Sequence, residues 1–286
     1  MRTRPTPTEG IGQGRTGGKK RIQDWVGTVW RGDARELLKK LPPGSVDLVV
    51  TDPPYFISRN TVIHRSMGSM KYRARRSITL DFGTWDHFEN EAEYWRFTRD
   101  WLDAVAGVMR PGGHLVTFFD QNRVSYLIAL ARRKGLACRQ HLYWVKSNPA
   151  PRARKVDFMI ALEHAIWFTK EPRSDATFNY RLGQQKNYVL AAVPHHPRLH
   201  PTQKPEAVLR VWIAYLSEED DVVLDPFAGS GSTICAARDL QRRWVACERE
   251  AEYVAVARTR LAKEPCAKAG NPALRGTLSA NRGTDR

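Results

Sequence analysis

The chain has 286 residues, of which 42% are hydrophobic and 27% charged, so it is long enough and apolar enough to form one large globular domain. Its 46 lysines and arginines exceed its 30 acidic residues, and the net charge of +16 favours a polyanionic partner, nucleic acid before a membrane surface. Four scattered cysteines without a C-x-x-C pair argue against a zinc site or a disulfide framework, and the lack of a signal-like or bilayer-spanning apolar run predicts a cytoplasmic protein.

The two ends of the chain differ from its middle. Residues 1–23 are rich in proline, glycine, threonine and arginine without hydrophobic periodicity, and residues 264–286 look similar. Such composition predicts disordered tails, the first of them basic. We expect residues 24–263 to form the folded domain.

Strands and helices alternate between the tails. Apolar runs bounded by turn residues predict seven strands, at 27–32, 46–51, 114–119, 138–145, 162–169, 221–225 and 243–248. Apolar residues at helical spacing predict helices near 33–41, 91–109, 122–134, 205–216, 232–241 and 250–262. This alternation predicts an α/β fold with a doubly wound, mostly parallel seven-stranded sheet. No helix separates strands 138–145 and 162–169, so we expect an antiparallel hairpin at one edge.

Three segments, 56–82, 146–158 and 170–199, do not fit this scaffold. The first two are strongly basic, and long irregular loops in a compact domain are usually functional or disordered. We expect the first two to contact phosphates, and we nominate the third, together with 56–82, to read a nucleic-acid sequence. The candidate phosphate-binding residues are Arg59, Lys71, Arg73, Arg75, Arg76, Arg152 and Arg154.

The predicted strand 46–51 ends in the tetrapeptide D-P-P-Y. Asp52 offers a carboxylate, Pro53 and Pro54 each hold φ at about −65° and so fix the direction of a carbonyl, and Tyr55 offers an aromatic face. The combination indicates a site for a flat group that carries nitrogen. The alternative is a strand that simply ends in a proline turn.

Residues 222–240 predict a strand, a glycine turn and a helix. Gly229 and Gly231 let the backbone approach a ligand closely, and the free amides of the helix start then face it. A phosphate-binding P-loop would need lysine after Gly231, and a dinucleotide fingerprint would need glycine at Ile234. The pattern therefore favours a small cofactor with an anionic end and a nucleoside end. Glu248, at the end of the next strand, is placed to accept ribose hydroxyls, unless it is a solvated surface charge.

Three motifs carry a family resemblance: DPPY at 52–55, HPTQKP at 200–205 and DPFAGSG at 225–231. Together they resemble DNA amino-methyltransferases, which transfer a methyl group from S-adenosylmethionine to an exocyclic amine. Their order along the chain resembles that of the β group of the family. The resemblance covers residues 24–263. The resemblance implies a Rossmann-like, circularly permuted methyltransferase fold in which the first and third motifs lie at the carboxyl ends of adjacent strands.

The resemblance assigns the target amine to the tetrapeptide. It implies that the Asp52 carboxylate and the Pro53 carbonyl accept the two amine hydrogens, that Pro54 completes the rigid turn, and that Tyr55 stacks on a base extruded from the duplex. No strong general base is required, so His200 is interpreted as a surface or structural histidine. An acid at position 52 favours N6 of adenine, with N4 of cytosine as the alternative.

The resemblance also implies a set of cofactor contacts. Asp33 would bind the cofactor adenine, although a helix N-cap is an equal alternative; Thr202 and Lys204 would lie near the methionine carboxylate. The full predicted cofactor set is Asp33, Thr202, Lys204, Asp225, Phe227, Ala228, Gly229, Ser230, Gly231, Ser232, Thr233 and Glu248. Trp144 and Lys146 resemble a motif that borders the target base, the alternative being a core tryptophan and a surface lysine.

The resemblance implies double-stranded DNA as the partner and leaves open a homodimer and a cognate restriction endonuclease. Two rival functions stay open. Enzymes that methylate RNA guanine or a protein glutamine amide share the tetrapeptide, but they usually place the glycine loop first. A DNA-binding relative without catalysis would not need Asp52 and Tyr55 intact.

Overall fold

A computed structural model of the chain describes residues 21–56, 62–64, 77–79, 88–151, 156, 158–194, 199–200 and 202–263, with only the backbone of 62–64 and 77–79. The predicted tail 264–286 and the first twenty residues lie outside this part. Residues 21–23 are ordered, because Ile22–Asp24 forms a turn of 3₁₀ helix in which the Asp24 carboxylate accepts the amide of Arg21 at 2.9 Å. The prediction of disorder up to residue 23 is therefore wrong for its last three positions.

Six helices are found within the described ranges, each near its predicted place. They are Ala34–Lys40 (α1), Glu91–Val108 (α2), Val124–Arg132 (α3), Glu206–Leu216 (α4), Ser232–Asp239 (α5) and Ala251–Ala262 (α6). The strands described are Thr28–Arg31 (β1), Val46–Thr51 (β2), Val62–His64 (β3), Ser77–Thr79 (β4), Met109–Phe118 (β5), Leu136–Lys146 (β6), Leu162–Lys170 (β7), Tyr188–Ala191 (β8), Val222–Asp225 (β9) and Arg243–Glu248 (β10).

Eight of these strands form one sheet in the order β1-β10-β9-β2-β5-β7-β6-β8, and β3 pairs separately with β4. The first five strands run parallel, whereas β7 is antiparallel to both β5 and β6. The mostly parallel α/β fold and the antiparallel hairpin are confirmed. The predicted strand count of seven is wrong, and the hairpin does not form the edge, because β8 pairs with β6 outside it.

The eighth strand lies in segment 170–199, which the sequence predicted to be irregular. Its short apolar run lies in a segment that mixes proline, arginine, tyrosine and histidine, and the pairing with β6 identifies it as a strand. The same segment is fixed to α4, since the buried Asn179 side-chain amide donates to the carbonyls of Ala214 and Ser217 at 2.8 Å each. Segment 170–199 is therefore attached to the sheet through β8 and to α4 through Asn179.

Both faces of the sheet are covered. Helices α1, α2 and α3 pack on one face, and α4, α5 and α6 pack on the other. Strand β2 is buried on both sides, with Val46, Leu48, Val49 and Val50 fully inaccessible, which explains why it appears in the sequence as a continuous apolar run. Each such side chain stabilises the fold by about 1.5–3 kcal/mol on burial.

The central pair of strands positions both motifs. Strand β2 pairs in parallel with β9 through Leu48 with Val223 and Val49 with Leu224, so the residues that follow each strand emerge side by side at one edge of the sheet. This adjacency confirms the predicted neighbourhood of the DPPY strand and the glycine-turn strand. None of the helices in the described part is both long and apolar enough to cross a membrane.

Candidate active site

The carboxyl ends of β2 and β9 open into one cleft, which encloses about 890 Å³ including the solvent at its mouth. Asp52 and Pro54 line it together with the glycine turn. Of the predicted cofactor residues, every one except Gly231 contributes to the lining; those that do are Asp33, Thr202, Lys204, Asp225, Phe227, Ala228, Gly229, Ser230, Ser232, Thr233 and Glu248. The two distant motifs therefore share one cavity.

The glycine turn needs its glycines for different reasons. Gly231 caps α5 with φ at +81°, and a Cβ there would stand 3.0 Å from the Cβ of Ala257. Gly229 has φ at +50° and donates its amide to the Glu248 carboxylate at 2.7 Å. The other Glu248 oxygen accepts the amide of Glu250 at 2.8 Å. Burial raises the pKa of Glu248 above its usual value, although these amides act against the rise.

Asp225 joins the two central strands. Its carboxylate accepts the Thr51 hydroxyl at 2.8 Å and the Phe227 amide at 3.1 Å, so one side chain ties the end of β2 to the start of the glycine turn. Burial raises the pKa of Asp225 to about 7, while its hydrogen bonds with Thr233, Thr51 and the Phe227 amide oppose the shift and the charge of Asp52 adds to it.

Asp225→Asn is expected to stabilise the fold at neutral and alkaline pH. Between its usual pKa of 3.8 and about 7 the folded chain keeps a proton that the unfolded chain has released, so wild-type stability falls as pH rises through this window. Asparagine resembles the protonated carboxyl. The gain of the variant should be absent near pH 4 and reach at most roughly 4 kcal/mol above pH 7. Urea unfolding of both proteins from pH 4 to pH 8 measures it; a difference independent of pH would contradict the assignment.

The DPPY turn places Asp52 in a network of hydrogen bonds. One carboxylate oxygen accepts the Tyr55 hydroxyl and the other accepts the ammonium of Lys204. Burial raises the pKa of Asp52, whereas the Lys204 charge and the Tyr55 hydroxyl pull it back. The Tyr55 ring lies edge-on to Phe119 with centroids 6.4 Å apart. Arg123 holds the turn from the other side through a 3.1 Å bond to the Tyr55 carbonyl.

Lys204 is only 7% exposed and lies between two carboxylates. Beyond Asp52, its ammonium contacts Glu163 on β7 at 3.3 Å, and Lys146 on β6 contacts the same Glu163 at 2.9 Å. The sequence predicted Lys204 near the methionine carboxylate of a cofactor; its side chain lines the cleft but directs its charge to Asp52. Glu163 was missed by the sequence analysis.

Trp144 and Lys146 were predicted as nucleic-acid contacts, with a core tryptophan and a surface lysine as the alternative. The structure favours the core alternative for Trp144, and the contact of Lys146 with nucleic acid stays a prediction. Trp144 is 1% exposed, and its indole N–H donates to the Ala191 carbonyl at 2.9 Å, so it is a core residue that joins β6 to β8. Lys146 is not a surface lysine either, because its side chain is 15% exposed and its charge is committed to Glu163. The other candidates, Arg59, Lys71, Arg73, Arg75, Arg76, Arg152 and Arg154, lie outside the described residues.

Asp33 combines both of its alternatives. It is the N-cap of α1, accepting the Arg35 amide at 2.8 Å, and it also lines the cleft. Its carboxylate takes two further bonds from the Arg35 guanidinium, at 3.0 and 2.7 Å. These bonds lower the pKa of Asp33 below its usual value, so the carboxylate is ionised at neutral pH.

Two further residues support the glycine turn without a signal in its motif. Arg260 on α6 donates to the Ser230 carbonyl at 2.5 Å and to Glu206 at the start of α4 at 2.6 Å, which joins the turn to the element that follows HPTQKP. His200 lines the cleft beside Gly229 and packs edge-on to Tyr253 at 4.3 Å. Arg260 could not be assigned from local sequence, because it acts through Ser230 and Glu206, whereas His200 begins the HPTQKP motif.

Comparison with known proteins identifies the family. The family model described as DNA methylase matches residues 46–259, and the chain therefore belongs to the DNA methylases. The chain is 31% identical over 262 residues to the Type II methyltransferase M.HinfI of Haemophilus influenzae, an alignment that covers 85% of this chain and 70% of the relative.

Solved structures share the fold. The crystal structure of the M1.HpyAVI–SAM complex is 26% identical with a TM-score of 0.64, and the match covers 82% of this chain and 98% of that chain. The cytosine-N4-specific PvuII DNA methyltransferase is 21% identical with a TM-score of 0.65, covering 88% of this chain and 92% of that chain. The chain therefore shares its fold with known DNA methyltransferases.

Proposed function

We propose that this DNA methylase transfers a methyl group from S-adenosylmethionine to the N6 amine of an adenine extruded from double-stranded DNA. The observation that carries the proposal is that Asp52 opens onto the same cleft as the glycine turn. A methyl transfer requires the donor and the acceptor amine to meet, and positioning of this kind accounts for much of the rate of such reactions. The shared cleft provides the place for that meeting.

The cleft residues fit S-adenosylmethionine by their chemistry. The carboxylates of Asp33 and Glu248 suit an adenine amine and ribose hydroxyls, and the Phe227 ring suits the face of a purine. The glycine turn and the first residues of α5 bring backbone amides toward an anionic group. When bound, the cofactor would supply an activated methyl on a sulfonium.

The DPPY residues would prepare the amine. The lone pair of an exocyclic amine is delocalised into the ring, which makes the nitrogen a poor nucleophile. Acceptance of its two hydrogens by the Asp52 carboxylate and the Pro53 carbonyl would return electron density to the nitrogen. Both Asp52 oxygens keep lone pairs beyond those used by Tyr55 and Lys204, so the carboxylate can accept a further bond. Tyr55 would hold the extruded base by its ring.

The basic loops 56–82 and 146–158 would hold the DNA backbone, and segment 170–199 would take part in reading the target sequence. Binding should weaken steeply with salt, as expected of a protein with a net charge of +16 that neutralises phosphates. We include in the same proposal that the protein forms a homodimer and that it has a cognate restriction endonuclease as a partner. Sedimentation with and without duplex DNA tests the first of these.

The target base is tested by labelling. Duplex DNA treated with the protein and with S-adenosylmethionine tritiated at the methyl group should yield label in N6-methyladenine after digestion to nucleosides. The reason is that an acid at position 52 accompanies adenine specificity in the family that the motifs resemble. Unmethylated plasmid DNA carrying many sequence contexts is the substrate. Label in N4-methylcytosine would replace adenine by cytosine, and no label in either base would overturn the proposed activity.

A further inference from the structure

Four charged side chains from separate parts of the chain form an alternating row beside the cleft, in the order Lys146, Glu163, Lys204 and Asp52. Lys146 contacts one Glu163 oxygen at 2.9 Å, and Lys204 contacts the other at 3.3 Å while it also binds Asp52. The side chains are 15%, 29%, 7% and 19% exposed in that order. Two positive and two negative charges are therefore held together with little water.

The two ion pairs of Glu163 are largely shielded from solvent. Burial alone would raise the pKa of Glu163, but the ammonium groups of Lys204 and Lys146 outweigh it and lower the pKa below the usual value. The two carboxylates in turn raise the pKa of Lys204 against its burial. Glu163 is thus an ionised carboxylate that sits one side chain away from the DPPY turn.

The geometry has a consequence for the acceptor strength of Asp52. A buried lysine that paired with Asp52 alone would neutralise the negative charge of that carboxylate. A carboxylate neutralised in this way attracts an amine hydrogen weakly. A second carboxylate on the far side of the lysine divides the charge. Asp52 then keeps much of its capacity to accept a hydrogen bond.

We propose that Glu163 is a positioning residue for methyl transfer, which shares Lys204 with Asp52 and thereby sets the strength of Asp52 as an acceptor of the target amine. This inference rests on the proposed function, because it gives Asp52 the role of amine acceptor. The charged and titratable groups that face Asp52 in the described part of the chain are Tyr55, Lys204, Glu163 and, from β9, Asp225. Lys146 acts on Asp52 only through Glu163.

Glu163→Gln is expected to lower kcat about tenfold, with the KM values for duplex DNA and for S-adenosylmethionine changed less than about threefold, because the change acts on one acceptor bond worth about one pKa unit. Removal of the Glu163 charge also lowers the pKa of Asp52, so the acidic limb of the kcat–pH profile should move to lower pH. Glu163→Asp keeps the charge and should retain the wild-type acidic limb.

Lys146→Met provides the opposite shift. Without Lys146, Glu163 attracts Lys204 more strongly and draws it from Asp52, so the acidic limb should move to higher pH. This variant leaves the Glu163, Lys204 and Asp52 side chains intact and therefore gives a second test if Glu163→Gln does not fold. Glu36→Gln is the matched control, because Glu36 pairs with Lys39 on the surface of α1; it should behave as wild type.

Wild type and all variants are assayed together with duplex DNA. Opposite movements of the acidic limb in Glu163→Gln and Lys146→Met would support the inference. The inference would be overturned if the acidic limbs did not move, if they moved in the same direction, or if the loss of activity were confined to KM. In each of these cases an active wild type would leave the proposed function standing. A wild type without turnover would overturn both.

Discussion

Asp52→Ala is expected to lower the kcat for DNA methylation by at least about 10²–10³-fold, the usual loss when one preorganised polar group at the reacting atom is removed. Binding of S-adenosylmethionine and of duplex DNA should change little. The fold should survive, because Lys204 keeps its contact with Glu163 when Asp52 is gone. Thr51 and Asp225, which join the two central strands, are also left in place.

Three measurements separate the steps of this prediction. Tritium transfer gives turnover, isothermal calorimetry gives cofactor affinity, and fluorescence anisotropy gives affinity for a labelled duplex. Asp103→Ala is the matched control, since Asp103 forms an exposed ion pair with Lys134. Asp52→Asn retains an acceptor oxygen without the charge, so its kcat should lie between the values for wild type and Asp52→Ala. Methylation at the wild-type rate by Asp52→Ala would remove Asp52 from the proposed mechanism.

The parts of the site that the sequence predicted are those whose chemistry and backbone geometry are local. The DPPY tetrapeptide combines an acid, two fixed backbone angles and a ring within four residues. The conformation of the glycine turn could be predicted from Gly229 and Gly231, both of which adopt positive φ. Because both motifs follow strands of a parallel sheet, the fold places them at one edge, and the shared cleft could be predicted from the order of the elements.

Glu163 could not be assigned in this way, because its role exists only through Lys204, a residue far along the chain. A signal was nevertheless present: the acid interrupts an apolar run, and a carboxylate in a buried strand must find a partner. The sequence gives no register for β6 and β7, which is what aligns Trp144 with Glu163. The side of the sheet that Trp144 faces was undetermined for the same reason, and the tryptophan proved to be core.

Lys204→Met is expected to destabilise the fold by about 3–5 kcal/mol, the usual effect of removing one partner of a buried ion pair. Methionine fills the volume of the lysine stem, so the effect comes mainly from charge. Asp52 and Glu163 would be left facing each other without the cation between them, and only Glu163 would retain a lysine partner, Lys146. Urea unfolding should show a lower midpoint with an unchanged slope.

The dependence of this penalty on pH identifies its cause. Without Lys204 the pKa of Asp52 rises further in the folded state, so the folded variant binds a proton that its unfolded form releases. Its stability is then retained at low pH and lost as pH rises, which makes the deficit against wild type larger at pH 8 than at pH 5. A deficit of the same size at both values would indicate lost packing instead.

A second substitution tests whether the two carboxylates repel each other in the variant. Glu163→Gln in the Lys204→Met background should recover part of the lost stability, because it removes one of the two negative charges, whereas in the wild-type background it should destabilise. Lys134→Met is the matched control, because Lys134 forms an exposed pair with Asp103, and it should cost less than about 1 kcal/mol. Additive effects of the two substitutions would show that Lys204 and Glu163 are not energetically coupled, which would contradict the sharing of Lys204 between Glu163 and Asp52.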